Sequence, residues 1–138
     1  MGSKMPYEII YLEEEGGVIT NYWGTITDKD IIESGKEKYL SLSRLGSYGY
    51  AITDLSRVEE SRLTPKGIKK NAEISMKIFA EKSDIIVAFV LPTDVEYGMG
   101  RMWQAYGDGE DKHSKICRTR SEAEEWIRSN LKNNSPGR

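Results

Sequence analysis

The chain has 138 residues, 38% of them hydrophobic and 30% charged, the size and mixture of one globular domain with a real core. Its formal charge is −2 and its pI is near 5.6, with Lys and Arg scattered among Asp and Glu, so the basic stripe of a nucleic-acid binder is missing. No apolar run approaches the ~20 residues of a membrane-spanning helix, and the expectation is a soluble, cytoplasmic protein without integral membrane association.

Met1 to Lys4, ahead of a second methionine at Met5, read as an expression remnant, and the single domain is expected over residues 5–132. Tyr7 to Leu12 is β-rich, Glu13 to Gly17 supplies turn chemistry, and Val18 to Trp23 alternates as a second strand, giving an antiparallel hairpin. Thr27 then caps a helix over Asp28 to Arg44, with Asp28 and Asp30 in its first turn and Ile31, Gly35, Tyr39 and Leu42 at helical spacing. Tyr50 to Leu55 is the third strand. A loop of charged and hydroxyl residues follows, up to Thr64-Pro65, where Thr caps and Pro occupies the first helical position. That second helix carries a buried stripe of Ile68, Ala72, Ser75 and Phe79.

The apolar run Ile85 to Leu91, closed by Pro92, reads as a strand covered on both faces, as parallel strands in α/β sheets are. Met99, Met102, Trp103 and Tyr106 then mark a short helix from Tyr97 to Tyr106, and Gly107 to Lys112 is a polar loop. Lys115 to Thr119 is a last strand, containing the lone Cys117. One cysteine excludes an internal disulfide and a multi-thiolate zinc site, and Cys117 reads as a small buried strand residue. Ser121 with Glu124 forms a capping box for a final helix bearing Ala123, Trp126, Ile127 and Leu131, and Asn133 to Arg138 is a disordered tail. The fold class is α/β, a mixed and mostly parallel sheet of about five strands flanked by four helices in the order ββαβαβαβα.

Several motifs invite a chemical reading. Gly98-Met99-Gly100-Arg101, following a strand, offers amides and a guanidinium to an anion, but lacks the third glycine of a dinucleotide site. Asp108 to Asp111 with His113 lacks the alternating ligands of a calcium hand and reads as a solvated loop. No nucleophile elbow or triad accompanies His113, and the adjacent acids at Glu13 to Glu15, Glu59-Glu60 and Glu124-Glu125 read as solvated turn and helix residues. No catalytic set, cofactor site or metal site is identified, so the chain reads as non-enzymatic. Trp23, Tyr50, Met99, Met102, Trp103 and Tyr106 are either ordinary core or the wall of a Met- and aromatic-lined pocket for a small apolar, lipid-like ligand.

The element order, together with Asp54-Leu55-Ser56-Arg57-Val58 leaving the third strand and Thr64-Pro65-Lys66-Gly67-Ile68 opening the next helix, resembles the anti-sigma-factor-antagonist fold, the STAS domain, over Tyr7 to Leu131. Trp23-Gly24-Thr25-Ile26-Thr27 and Ser121-Glu122-Ala123-Glu124-Glu125-Trp126-Ile127 are similar to the SpoIIAA-like branch described as STAS/CRAL-TRIO-like. The resemblance implies a regulatory domain that docks a protein partner through the loop carrying Asp54, Ser56, Arg57, Glu59, Glu60, Arg62 and Lys66. It also implies a phosphorylatable hydroxyl at the start of the second helix, which falls on Thr64, with Ser61 as a second candidate. The sequence departs from that family's motif at Arg62, Leu63 and Pro65. Lys66, Arg57 and Arg62 are expected near a phosphate on Thr64. Homodimerisation through the hairpin edge or an exposed helix is a further possibility.

Overall fold

The computed structural model describes residues 5–41, 48–81, 84–108 and 113–134. β1 (Tyr7–Leu12) and β2 (Gly17–Thr27) form the hairpin, and α1 (Asp28–Leu40) leads into β3 (Tyr50–Arg62). α2 (Pro65–Glu81) connects to β4 (Ile86–Val90); α3 (Asp94–Trp103), prolonged by a π-helical turn at Gln104–Asp108, connects to β5 (Ser114–Cys117); α4 (Arg120–Asn134) ends the described chain. The five strands lie side by side in chain order, β1 antiparallel to β2 and every other neighbouring pair parallel. This is the mixed α/β arrangement expected from the sequence.

Because consecutive strands are neighbours, right-handed connections carry each linking helix across the same face of the sheet. Ile31 of α1, Ile68 and Phe79 of α2 and Trp103 of α3 accordingly share one core with Tyr22 and Leu55. α4 has no further strand to reach and closes the opposite face, where Ala123 and Ile127 pack on Ile52, Ala88 and Val90. β4 lies between β3 and β5. Its Ile86, Ala88 and Val90 face α4 while Val87 and Phe89 face the three helices, which is why the run is apolar at every position.

The helix starts follow the expected chemistry with two shifts. Thr27 and Asp30 form a capping box, and the Thr64 hydroxyl accepts from the Gly67 amide at 3.2 Å. α3 begins at Asp94 rather than Tyr97, because Thr93 and Glu96 make a capping box of their own. α4 begins before Ser121: the Thr119 hydroxyl accepts from the Glu122 amide at 3.1 Å, and Glu122 accepts from the Thr119 amide at 3.1 Å. The box expected at Ser121 and Glu124 therefore sits two residues upstream, and α4 continues through Asn134, into the segment expected to fray. The expected α1 residues 42–44, the 109–112 part of the expected loop and the terminal segments 1–4 and 135–138 fall outside the described residues, while Gly107 and Asp108, expected in that loop, belong to the π-helical turn that prolongs α3.

The largest departure is at β2 and β3. β2 runs on to Thr27, and the stretch expected as a loop after Leu55 is strand as far as Arg62, paired with Trp23 to Thr27. Register shifts at Asn21/Trp23 and Gly24/Thr25, the second beside Gly24 with φ of 67°, break the two-residue period. Val58 and Ser61 turn inward while Arg57, Glu59 and Glu60 are exposed, so the sequence shows no alternation.

Candidate functional site

Two places on this frame hold side chains that the fold alone does not require. The first is the outer end of the β2–β3 ribbon. β1 pairs with β2 only up to Tyr22, and β4 pairs with β3 only up to Asp54, so the ribbon beyond those points projects past its neighbours. There the Arg57 guanidinium lies 5.6 Å from the Trp23 ring centroid, and a surface hollow is lined by Trp23, Gly24, Ser56, Arg57, Val58 and Glu59. Arg62 pairs with Glu60 at 2.8 Å, which holds that carboxyl below its ordinary range and the guanidinium above its own; both are exposed, so the pair contributes little to stability.

Asp54, expected among the partner-facing residues, is buried. Its carboxylate accepts from the Ser56 amide at 2.8 Å and pairs with Arg120 of α4 at 2.9 Å, a structural tie across the sheet end. Thr64 is also committed: its hydroxyl donates to Asp28 Oδ2 at 2.5 Å and its amide donates to Asp28 Oδ1 at 2.9 Å. Asp28 thereby joins the starts of α1 and α2. It lies so close to Gly67 that a Cβ there would fall 2.1 Å from the carboxylate. The expected cationic receiver for a phosphate on Thr64 is not gathered, since Arg62 pairs with Glu60 and Arg57 covers Trp23, while Asp28 places a negative charge at the hydroxyl itself. Ser61 is half-buried with its hydroxyl 3.7 Å from the Met99 sulfur. Lys66 is exposed in the first turn of α2.

The second place is a cavity of about 110 Å³ between the sheet and α1, α2 and α3, walled by apolar side chains including Ile78, Phe79, Val87, Phe89 and Trp103. Polar groups in its wall are mostly committed. The Tyr22 hydroxyl bonds Ser34 at 2.5 Å, and burial raises its pKa. Asn71 accepts from the Trp103 indole at 2.8 Å and donates to the Ile31 carbonyl at 2.8 Å. Glu96 caps α3 from a buried position, and desolvation raises its carboxyl. Lys38, in the last turn of α1, also lines the cavity, and desolvation pulls its amine down to about 8.

Of the six residues expected around a pocket, Met99 and Trp103 line this cavity and Met102 packs against the same core. Trp23 belongs to the ribbon hollow. Tyr50 packs on the α4 side, its hydroxyl donating to Glu15 at 2.9 Å, where burial and that carboxylate push it up to about 12. Tyr106 is exposed, with the Lys69 amine 6.0 Å from its ring. The Gly98 to Arg101 anion site is not formed: these residues lie inside α3, where their amides serve the helix, and Gly100 lets α3 approach Leu91 and Ile116. Cys117 is buried, and burial raises its thiol. His113 stacks on Phe79 at 4.8 Å. Among the described residues no cluster of three metal-ligating side chains forms, and no helix is long and apolar enough to cross a membrane.

The residues that sequence reasoning missed are Lys38, Asn71 and Glu96. Lys38 had a signal: it stands seven residues after Ile31 and three after Gly35, a position where the buried stripe of α1 calls for an apolar residue.

A hairpin entering a parallel set laid down in chain order, three linking helices on one face and a terminal helix on the other, is the SpoIIAA-like or STAS fold. The anti-sigma factor antagonist SpoIIAA in its unphosphorylated form aligns with a TM-score of 0.58 at 12% identity, over 88% of this chain and 97% of its own. An uncharacterized protein of the DUF3478 family with a SpoIIAA-like fold, from Shewanella loihica PV-4, gives 0.52 at 16% identity over 92% of this chain and 98% of its own. The overall structure of SLC26A9 gives 0.53 at 20% identity, with 88% of this chain covering 21% of that one. No family model and no curated protein matches the sequence.

Proposed function

We propose that this chain is a non-enzymatic regulatory domain of the cytoplasm that presents the β2–β3 ribbon and the start of α2 to a protein partner. The projection of the ribbon past β1 and β4, with Trp23 and Arg57 beside a surface hollow, carries this reading, and the likeness to an anti-sigma factor antagonist supports its class. A half-buried tryptophan beside an exposed arginine is the composition from which interface hot spots are drawn. Phosphorylation at Thr64 would act by repulsion from Asp28, loosening the joint between α1 and α2, rather than by forming a new cationic clasp. Affinity capture from the native host tests this. A partner should be retained by the parent protein and lost by Trp23→Ala and Arg57→Glu, and weakened by Thr64→Glu; equal recovery with all variants would remove the ribbon as the docking surface.

A second reading is favoured by the cavity: the domain carries or senses a small apolar ligand. A mostly apolar space of this order, close to the ~150 Å³ of an engineered benzene-binding cavity, is large enough for a small hydrophobic molecule.

A further inference from the structure

The cavity spans the sheet from one end to the other. α1 returns antiparallel to β2, so Lys38 in its last turn lies by the beginnings of the parallel strands, where Ala51 and Ile85 line the wall. Glu96, in the first turn of α3 just after β4, lies by their carboxyl ends with Leu55 and Leu91. The four-residue advance from Ala51 to Leu55 is about 13 Å.

Lys38 is the unexplained group. The residue keeps some exposed surface, yet its amine stands among enough protein atoms to lose much of its hydration. Its chain neighbour Glu37 is engaged with the Tyr7 hydroxyl on β1, and among the described residues no carboxylate pairs with the Lys38 amine. A lysine covering a helix end ordinarily carries its amine to water. Here the residue lines an apolar hole with its amine desolvated, a position that costs stability and that an anion would relieve. The amide of Asn71 and the hydroxyl of Tyr22 are occupied by Trp103, Ile31 and Ser34, and the remaining hydroxyls in the wall, Thr53 and Ser75, carry no charge, so Lys38 is the cation of the wall.

We propose that the cavity binds a small apolar carboxylic acid, its carboxylate on the Lys38 amine and its hydrocarbon between Phe79, Phe89 and Trp103. This rests on the second reading above, that the cavity holds a ligand. A monoanion matches the single cation, whereas a phosphate would bring a second negative charge into walls that hold no second cation. Glu96 at the far end repels a carboxylate and so fixes the ligand's direction. The space suits an apolar part of about six carbons, the size of benzene.

Calorimetric titration of the full chain at neutral pH, with hexanoate and benzoate against the neutral isosteres hexanol and benzyl alcohol, tests the assignment. The acids should bind the parent protein about tenfold or more tightly than the alcohols, the range of a charge-assisted hydrogen bond. Lys38→Met, which keeps the side-chain length, should erase that preference while still binding the alcohols. Equal affinity of acid and alcohol for the parent, or a preference that survives in Lys38→Met, overturns the assignment to Lys38 but leaves an apolar ligand site. No binding of either probe overturns both this proposal and the ligand-carrying reading.

Discussion

The two faces of this sheet are built from the same strands and are packed to different ends. Under α4, the side chains of Ile52, Ala88, Val90, Ala123 and Ile127 interlock, and the Asp54–Arg120 pair at 2.9 Å ties the helix to the sheet end. Under α1, α2 and α3 the core is larger and contains a hole, with a lysine and a glutamate in its wall. One helix laid along the strands can settle until it touches everywhere. Three helices must also fit one another, and where they meet the sheet the remaining gap is filled only if large side chains point into it; here Ala51, Gly35 and Ser75 do not. One face is filled, and the other retains space and a desolvated charge.

The strongest way to break this comparison is a matched truncation. Ile127→Ala, on the close-packed face, should cost about 2–5 kcal/mol, from lost transfer energy and a new cavity. Ile78→Ala, which enlarges a space that already exists, should fall at the lower end of that range, because its side chain has fewer partners to lose on the open side. Denaturant unfolding of both variants measures the difference. Equal losses would mean that the two faces are packed alike.

A second effect has the opposite sign. The amine of Lys38 is depressed to about 8 in the folded protein from 10.5, so the unfolded chain binds the proton more tightly between those values. The burden on folding is therefore complete below pH 8, fades as pH rises toward 10.5, and is absent above it. Lys38→Met should stabilise the protein at neutral pH by about 1–3 kcal/mol, the upper figure being the full shift and the lower one allowing for partial exposure. The gain should shrink between pH 8 and 10.5 in thermal or denaturant unfolding. A variant less stable than its parent at pH 7 would show that the amine is solvated or paired, and the contrast between the faces would lose its electrostatic half.

The two faces were unequally legible in the sequence. The uninterrupted run Ile85 to Leu91 announced a strand with cover above and below, and Thr64-Pro65 marked the start of α2 to the residue, because those signals are local. The outer half of β3 was hidden, since register shifts between β2 and β3 destroy the alternation on which strand recognition depends. The start of α4 was misplaced by two residues because Thr119–Glu122 and Ser121–Glu124 both satisfy the capping spacing, and only the folded chain shows the Glu122 carboxylate also accepting from the Arg118 amide at 2.9 Å. Of the aromatic and methionine residues grouped from the sequence, Met99 and Trp103 meet at the cavity, while Trp23, Tyr50 and Tyr106, drawn from different faces and ends, do not. Whether a helix stands off from a sheet depends on residues distant in sequence, and no local pattern encodes it. Lys38, a charge interrupting a buried stripe, was a further trace of the cavity that the sequence carried.

The finest test of the contrast reverses the direction of substitution. Ala123 is fully buried beneath α4, and Ala123→Leu must force extra methylenes into a packed layer, at about 1–3 kcal/mol. Ser75 lines the cavity from α2, so Ser75→Leu places the same side chain into existing space, buries apolar surface and raises helix propensity, for a gain of up to about 1 kcal/mol. The second change also competes with any occupant of the cavity, so it should weaken hexanol and hexanoate binding together, unlike Lys38→Met, which acts on the acid alone. If Ser75→Leu destabilises the fold as Ala123→Leu does, the space beneath the three helices is not available to a leucine, and an apolar ligand could not occupy it either.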